Sequence, residues 1–360
     1  VFPHAPGAAI RQLGLRDQVV AGRRSLALGA RFHIHCFAIR RVASVRRREY
    51  GKGMSDADTM FLFDRPLIRQ RRDRAAAGLG AHDFLLREVA DRLGERLDMI
   101  RRDFPRVLNL GSHGGEVEAA FKGRNGITHM VHADLSPSMA RLAGGNTGSP
   151  ALAADEEALP FAPGSFDMVI SNLSLHWVND LPGAMIQARQ VLRPDGLFIA
   201  AMLGGDSLFE LRRSLMEAEM EVTGGVSARI SPMAGIRDAA GLLQRAGFAL
   251  PVADMDTLTV SYPDPFRLMR DLRGMGETNA ALSRLKRPTR REVIVRAAER
   301  YMELFREEDG TIPATFEVIF LAGWSPDASV QQQPAKRGSA SHRLAEALNS
   351  IEQSTGVKPH

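Results

Sequence analysis

The 360-residue chain is 44% apolar and 25% charged, ordinary for a globular protein with a large core. A single cysteine excludes a disulfide framework and fits a reducing compartment, and no run of about 18 apolar residues is available to span a membrane. The net charge of +5 does not argue for nucleic acid as a partner: residues 1–53 hold 11 Lys and Arg against Asp17 and Glu49, while the other 307 hold 36 against 40.

That basic leader, ending RRVASVRRREYGKG, reads in three ways. It is Arg-rich and acid-poor like a mitochondrial transit peptide, although only Ser25 and Ser44 supply serine. It also suits a basic arm for phosphates or acidic lipid, or an extension upstream of Met54, which opens MSDADTMFLFDRP. The expected location is accordingly the bacterial cytoplasm, with the mitochondrial matrix as the alternative. His33, His35 and Cys36 fall here without distant partners and are not expected to hold a metal. Residues 54–325 are expected to form the folded domain. Residues 326–360, rich in Gln, Pro, Ser and Ala, are expected to be a flexible tail.

Within the domain, Leu85, Leu86, Val89, Leu93, Leu97 and Ile100 recur at three- and four-residue steps, predicting an amphipathic helix over 82–100. Five apolar runs follow: 106–110, 128–135, 151–155, 165–172 and 195–203, with helical text around 116–122, 136–143 and 182–192. This alternation predicts a parallel, doubly wound α/β sheet, and Arg193-Pro194-Asp195-Gly196 reads as the turn launching its fifth strand. Helices over 206–222 and 234–246, strands over 256–262 and 314–324, and about 50 mainly helical residues between those strands complete the domain.

Ligands of open parallel sheets bind past the carboxyl ends of the strands, so candidate residues are sought there. Gly111 lets the backbone turn after the first strand, and Gly114 and Gly115 leave room for a ligand. Asp134 closes the second strand, where a carboxylate can accept from both hydroxyls of a ribose, and Asp155 with Glu156 closes the third, within reach of an adenine edge. The loop sequence Gly111-Ser112-His113-Gly114-Gly115, followed by Glu116, is a poor setting for a pyrophosphate and suits the phosphate-free, cationic S-adenosylmethionine better.

These stretches, with HADLSPSM (132–139), ADEEALPFAPGSFDMVISNLSLHWVNDLP (154–182) and the PDG-led fifth strand, resemble class I S-adenosylmethionine-dependent methyltransferases. FDRPLIRQRRDRAA (63–76), GGDSLFELRRSLMEAE (204–219), ISPMAGIRDAAGLLQRAGF (230–248), LMRDLRGMGETNA (268–280) and GTIPATFEVIFLAGW (310–324) narrow the resemblance. They point to the mitochondrial complex I assembly family described as protein-arginine hydroxylases, and more distantly to the malonyl-carrier-protein O-methyltransferases. The resemblance implies a Rossmann-like, seven-stranded, mostly parallel sheet with helices on both faces and a helical insertion before the last strand. It further implies an S-adenosylmethionine site in which Gly111 is the first motif glycine, Asp134 the ribose acid, Asp155 the adenine-side acid and Asn172 the strand-four residue beside the donor. Ser112, Gly114, Leu135 and Glu156 are expected to line the same site. The implied partner is a respiratory complex I subunit or other protein, the alternative acceptor is a small acid or carrier-bound acyl group, and a non-catalytic assembly chaperone is a further alternative. Asn109 and His113 depart from the family pattern, which more often has Asp and Gly there, and the departure is expected to weaken donor binding.

His176, in SLHW after strand four, is the candidate catalytic group, a base or a hydrogen-bond donor to substrate; it could equally cap the core together with Trp177. His132-Ala133-Asp134 suggests an iron site, but Asp134 already serves the ribose and neither His129 nor His176 has diagnostic spacing, so no metal is expected. The charged run Arg69, Arg71, Arg72, Asp73 and Arg74 reads either as a lid near the donor or, preferentially, as a solvated helix face. Residues 272–280 are a second candidate for acceptor specificity, or a plain helix connector.

Overall fold

The computed structural model describes residues 61–327; the basic leader with its His33-x-His35-Cys36 stretch, and residues 328–360 of the expected tail, lie outside the described residues. Seven strands form one sheet: β1 (Arg106–Leu110), β2 (His129–Asp134), β3 (Ala151–Ala153), β4 (Phe166–Asn172), β5 (Leu192–Leu203), β6 (Ala249–Tyr262) and β7 (Ile312–Trp324). Their order is β3-β2-β1-β4-β5-β7-β6, and β7 runs antiparallel to both its neighbours while the first five strands are parallel. The expected fold class is borne out.

Alternation along the strands splits the core in two. Val107, Met168, Ile170 and Ile199 face one side, packed with α2 (Phe84–Asp98), α3 (Glu116–Phe121), α6 (Phe209–Thr223), α8 (Pro265–Met275) and α9 (Arg291–Phe305). Leu108, Val169, Phe198 and Ala200 face the other, under α5 (Leu181–Val191) and α7 (Ile236–Arg245). The helical insertion is α8 and α9, between β6 and β7.

Helix starts are written in the sequence as a capping residue followed within two positions by proline. Asp64 caps α1 (Arg65–Ala75), Ser136 caps α4 (Pro137–Thr147), Asp180 caps α5 and Asp264 caps α8, each side chain accepting a backbone N–H of the first turn. These caps bring α1 across the carboxyl ends of the strands, where Ile68 joins Phe63, Trp177 and Ala280 in a small separate apolar cluster against which Leu135 packs.

Three boundaries differ from expectation. β3 stops at Ala153, so Asp155 stands two residues past the strand, in a turn closed by Ala158 N–H donating to its carbonyl. β5 begins at Leu192, and Arg193–Gly196 is an irregularity inside it: Leu192 pairs with Phe166, pairing resumes at Leu197 with Met168, and Asp195 takes φ +58°. β6 begins at Ala249, seven residues before the expected 256, because its outer residues are polar or solvent-facing and hide the strand's apolar pattern.

Candidate functional site

The carboxyl ends of β1, β2 and β4 converge on the turn Gly111–Gly115. Gly111 takes φ +72°, and a Cβ there would lie 2.2 Å from the Ser174 Cβ, so only glycine permits this approach. The turn consumes its own amides. Gly111 and Ser112 N–H donate to Ala133 O, His113 N–H to Asp134 Oδ2, Gly114 N–H to Glu116 Oε2 and Gly115 N–H to Ser112 O. No amide of the turn is left for a phosphate, which removes the usual basis for pyrophosphate binding in such loops.

Asp134 is fully buried and orders the turn: Oδ1 accepts Ser136 N–H at 2.7 Å and Oδ2 accepts His113 N–H at 3.1 Å. Ser136 in turn donates to Asp73 on α1 at 2.6 Å. His113 is buried with φ +47°, and its Nε2–H points to the carbonyls of Asn172 and Leu173. Burial, reinforced by the charge of Arg72, holds its imidazole below the ordinary histidine range. Asn172 donates to Leu86 O at 2.8 Å and keeps Oδ1 without a partner among the described residues.

Asp155 and Glu156 meet a residue that sequence spacing does not bring forward. Arg65, at the start of α1, is bonded to Asp155 Oδ1 at 2.5 Å and to Glu156 Oε2. Glu156 also accepts Ser174 Oγ–H at 2.7 Å. Burial would raise the Glu156 carboxyl, but Arg65 and Arg72 outweigh it and hold the group below the ordinary range.

The charged run on α1 is a solvated face only in part: Arg69 and Arg74 are exposed, and the other members turn inward. Arg72 is completely enclosed, with Nη1 3.8 Å from both Asp134 and Glu156, and Arg71 donates to the carbonyls of Thr278 and Asn279. A signal for this existed: Arg65, Ile68, Arg72 and Ala75 share one helical stripe, and two of the four are apolar. Through Arg71, α1 also fastens the 272–280 segment over the site.

His176 follows β4 in a single 3-10 turn (Leu175–Trp177). Its Nε2 lies 2.9 Å from Glu277 Oε2, and Trp177 Nε1–H donates to the same oxygen at 2.7 Å. Burial would raise Glu277, yet His176 beside it, and Arg72 and His113 beyond, hold it below the ordinary carboxylate range. Trp177 packs edge-on against Phe63 at 5.4 Å, so the packing expected of it and the polar role of His176 coexist in one turn. Glu277 also lines a cavity of about 210 Å³ walled by Leu208, Leu211, Met233, Met269 and Leu272, next to the strand ends.

His132 makes its contacts with β1, α3 and α4. Its Nδ1 lies 3.1 Å from Asn109 Nδ2 and its Nε2 2.7 Å from Glu118. Among the described residues no group of three or more His, Cys, Asp or Glu is arranged to hold a metal ion.

Residues 108–200 match the family described as Methyltransferase domain. Over 298 residues the chain is 41% identical to the mitochondrial arginine-hydroxylase NDUFAF5 of Danio rerio, covering 82% of this chain and 92% of that protein. To the Homo sapiens protein of the same name it is 42% identical over 299 residues, covering 82% and 86%. The chain belongs to the arginine-hydroxylase NDUFAF5 family. It is also 35% identical over 281 residues to a malonyl-[acyl-carrier protein] O-methyltransferase of Methylovorus sp., covering 75% of this chain and 92% of that one. The resemblance read from the sequence is therefore borne out, and the chain is an enzyme of the methyltransferase type, a domain whose use implies S-adenosylmethionine. The buried orphan atoms fit a polar ligand at the NDUFAF5-family strand ends: Ser112 Oγ, His113 Nδ1, Asn172 Oδ1, Arg72 Nε and Nη2, His176 Nδ1 and Glu277 Oε1 have no partner among the described residues.

Proposed function

We propose that the cleft holds S-adenosylmethionine and that the enzyme modifies an arginine side chain of a protein partner, such as a respiratory complex I subunit. The observation that carries the donor reading is the turn 111–115, whose amides are all committed internally while Asp134 stands buried at the end of β2. Such a turn suits a ligand that needs close backbone approach and a ribose acceptor but no phosphate cradle. When bound, the donor supplies an electrophilic methyl group on a sulfonium. Asp134 would take the ribose, Asp155 and Glu156 would border the adenine, and Gly111, Ser112, Gly114, Leu135 and Asn172 would line the remainder. His176, oriented through Nε2 by Glu277, presents Nδ1 as the catalytic base or as a contact to the acceptor.

The NDUFAF5 relatives, named as arginine-hydroxylases of mitochondria, support the arginine acceptor and the mitochondrial matrix as the place of action; a bacterial host would place it in the cytoplasm. The malonyl-carrier-protein relative favours a second reading, methyl transfer to a carboxylate, and exposed Arg273 at the rim of the apolar cavity gives such an acid a counter-charge. Incubation with S-adenosylmethionine and either an arginine-containing partner protein or a malonyl carrier, read by mass spectrometry, separates them. A methyl on arginine, or an added oxygen when dioxygen and a reductant are also supplied, supports the first reading, and a methyl ester on the carrier supports the second. Co-purification of the partner with no modification under any condition would favour an assembly chaperone.

A further inference from the structure

Arg72 reaches the strand-end acids from α1 with no solvent exposure, and only one corner of its guanidinium is used. Nη1 donates to Ser174 Oγ at 3.1 Å and faces Asp134 and Glu156 at 3.8 Å. Nε and Nη2 are buried and meet no acceptor among the described residues. Those two N–H groups are the parallel pair along one edge of the plane, the edge that matches both oxygens of a carboxylate. Buried donors of this strength are rarely left unpaired unless a ligand completes them.

The turn beside Arg72 sharpens the assignment. With every amide of residues 111–115 already donated within the protein, an anionic group entering this cleft finds no backbone donor there. Two charged side chains keep unused donors there: Arg65 offers the single N–H of Nε, whereas Arg72 offers the parallel Nε–Nη2 pair that both oxygens of a carboxylate require. The anionic group of S-adenosylmethionine is the α-carboxylate of its methionine tail. Gly276, with φ +83°, follows α8 closely beside Arg72, where a Cβ would lie 3.3 Å from the Arg72 Cγ.

We propose that Arg72 binds the donor's α-carboxylate through Nε–H and Nη2–H, an assignment that rests on the S-adenosylmethionine reading above. The test is calorimetric titration of the full chain with two probes, S-adenosylhomocysteine and 5′-methylthioadenosine, which share the nucleoside but not the amino-acid tail. Arg72→Lys keeps a positive charge near Asp134 and Glu156 but loses the paired edge, and Arg72→Gln removes the charge; should Arg72→Gln not fold, the lysine variant carries the test. The expected result is a loss of roughly thirty- to hundredfold in S-adenosylhomocysteine affinity with 5′-methylthioadenosine affinity within about threefold of the parent. Equal losses for both probes would overturn the assignment, because Arg72 would then be shaping the pocket as a whole. Unchanged or tighter S-adenosylhomocysteine binding would also overturn it, the tighter case marking Arg72 as a competitor for the site. If the parent binds neither probe, the donor reading itself falls, an outcome distinct from either of these.

Discussion

His176 Nε2 lies 2.9 Å from Glu277 Oε2, joining the turn after β4 to the segment after α8 across a hundred residues of sequence. Trp177 Nε1–H donates to the same oxygen. One carboxylate therefore sets the imidazole's orientation, leaves Nδ1 as its free nitrogen and closes the wall of the apolar cavity. On the role proposed for His176, Glu277 would act through it as a positioning residue.

Removing that carboxylate strands two buried donors. Each unpaired group costs about 1–3 kcal/mol. Glu277→Ala is expected to cost about 2–6 kcal/mol and to lower the melting temperature by roughly 4–24 °C, at about 2–4 °C per kcal/mol for a domain of this size. Glu277→Gln keeps an acceptor oxygen and should lose well under half as much. Both variants should slow acceptor modification, Ala by about a hundredfold, while S-adenosylmethionine affinity stays close to the parent's. Thermal melts and turnover of the two variants check this; a Glu277→Ala protein as stable and active as the parent would contradict it.

The buried titrating groups give opposite slopes of stability with pH. Burial lowers His113 and His132 below the ordinary 6.5, so below that pH the unfolded chain takes protons that the folded chain refuses, and stability falls on acidification. Burial pushes Glu116 up to about 7 from 4.5, so its contribution is full below 4.5 and is lost as pH rises to about 7. Between pH 5 and 6.5 Glu116 offsets the histidines, by up to about 1.4 kcal/mol per pH unit. Glu116→Gln should therefore lose stability more steeply than the parent on going from pH 6.5 to 5, measured by denaturant unfolding. Parallel curves would refute the assignment.

Asn109 is explained by its neighbour. Asn109 Nδ2 donates to His132 Nδ1, which leaves the ring proton on Nε2 for Glu118. An acid at position 109 cannot donate, and would place His132 between two carboxylates. Asn109→Asp is expected to move the His132 titration from below the ordinary histidine value to above it, as followed by NMR of the imidazole nitrogens. A His132 that stays low would show that the amide is not matched to it.

The sheet was legible because its strands are short apolar runs and its helices start at Asp or Ser followed by proline, signals that are local. Asp134 and Gly111 stand where strand ends placed them. Arg72 and Glu277 lay in segments open to a lid or specificity reading, but Arg65 and the individual roles were not legible, because each is defined by partners about 60 to 100 residues away while local spacing shows only a charged helix and a glycine-flanked connector. β3 read two residues too long because Ala154 continues its small-residue run while the chain already turns at Asp155.

The central claim is that the turn after β1 and the acid at the end of β2 hold S-adenosylmethionine. It is tested most directly by calorimetric titration of S-adenosylmethionine into the parent and into Asp134→Asn, which keeps one of the two oxygens that accept the His113 and Ser136 amides. Saturable binding by the parent is expected, with a loss of roughly a hundredfold or more in the variant, whose circular dichroism is unchanged. A folded parent that does not bind, or an Asp134→Asn protein that binds as tightly as the parent, would contradict it.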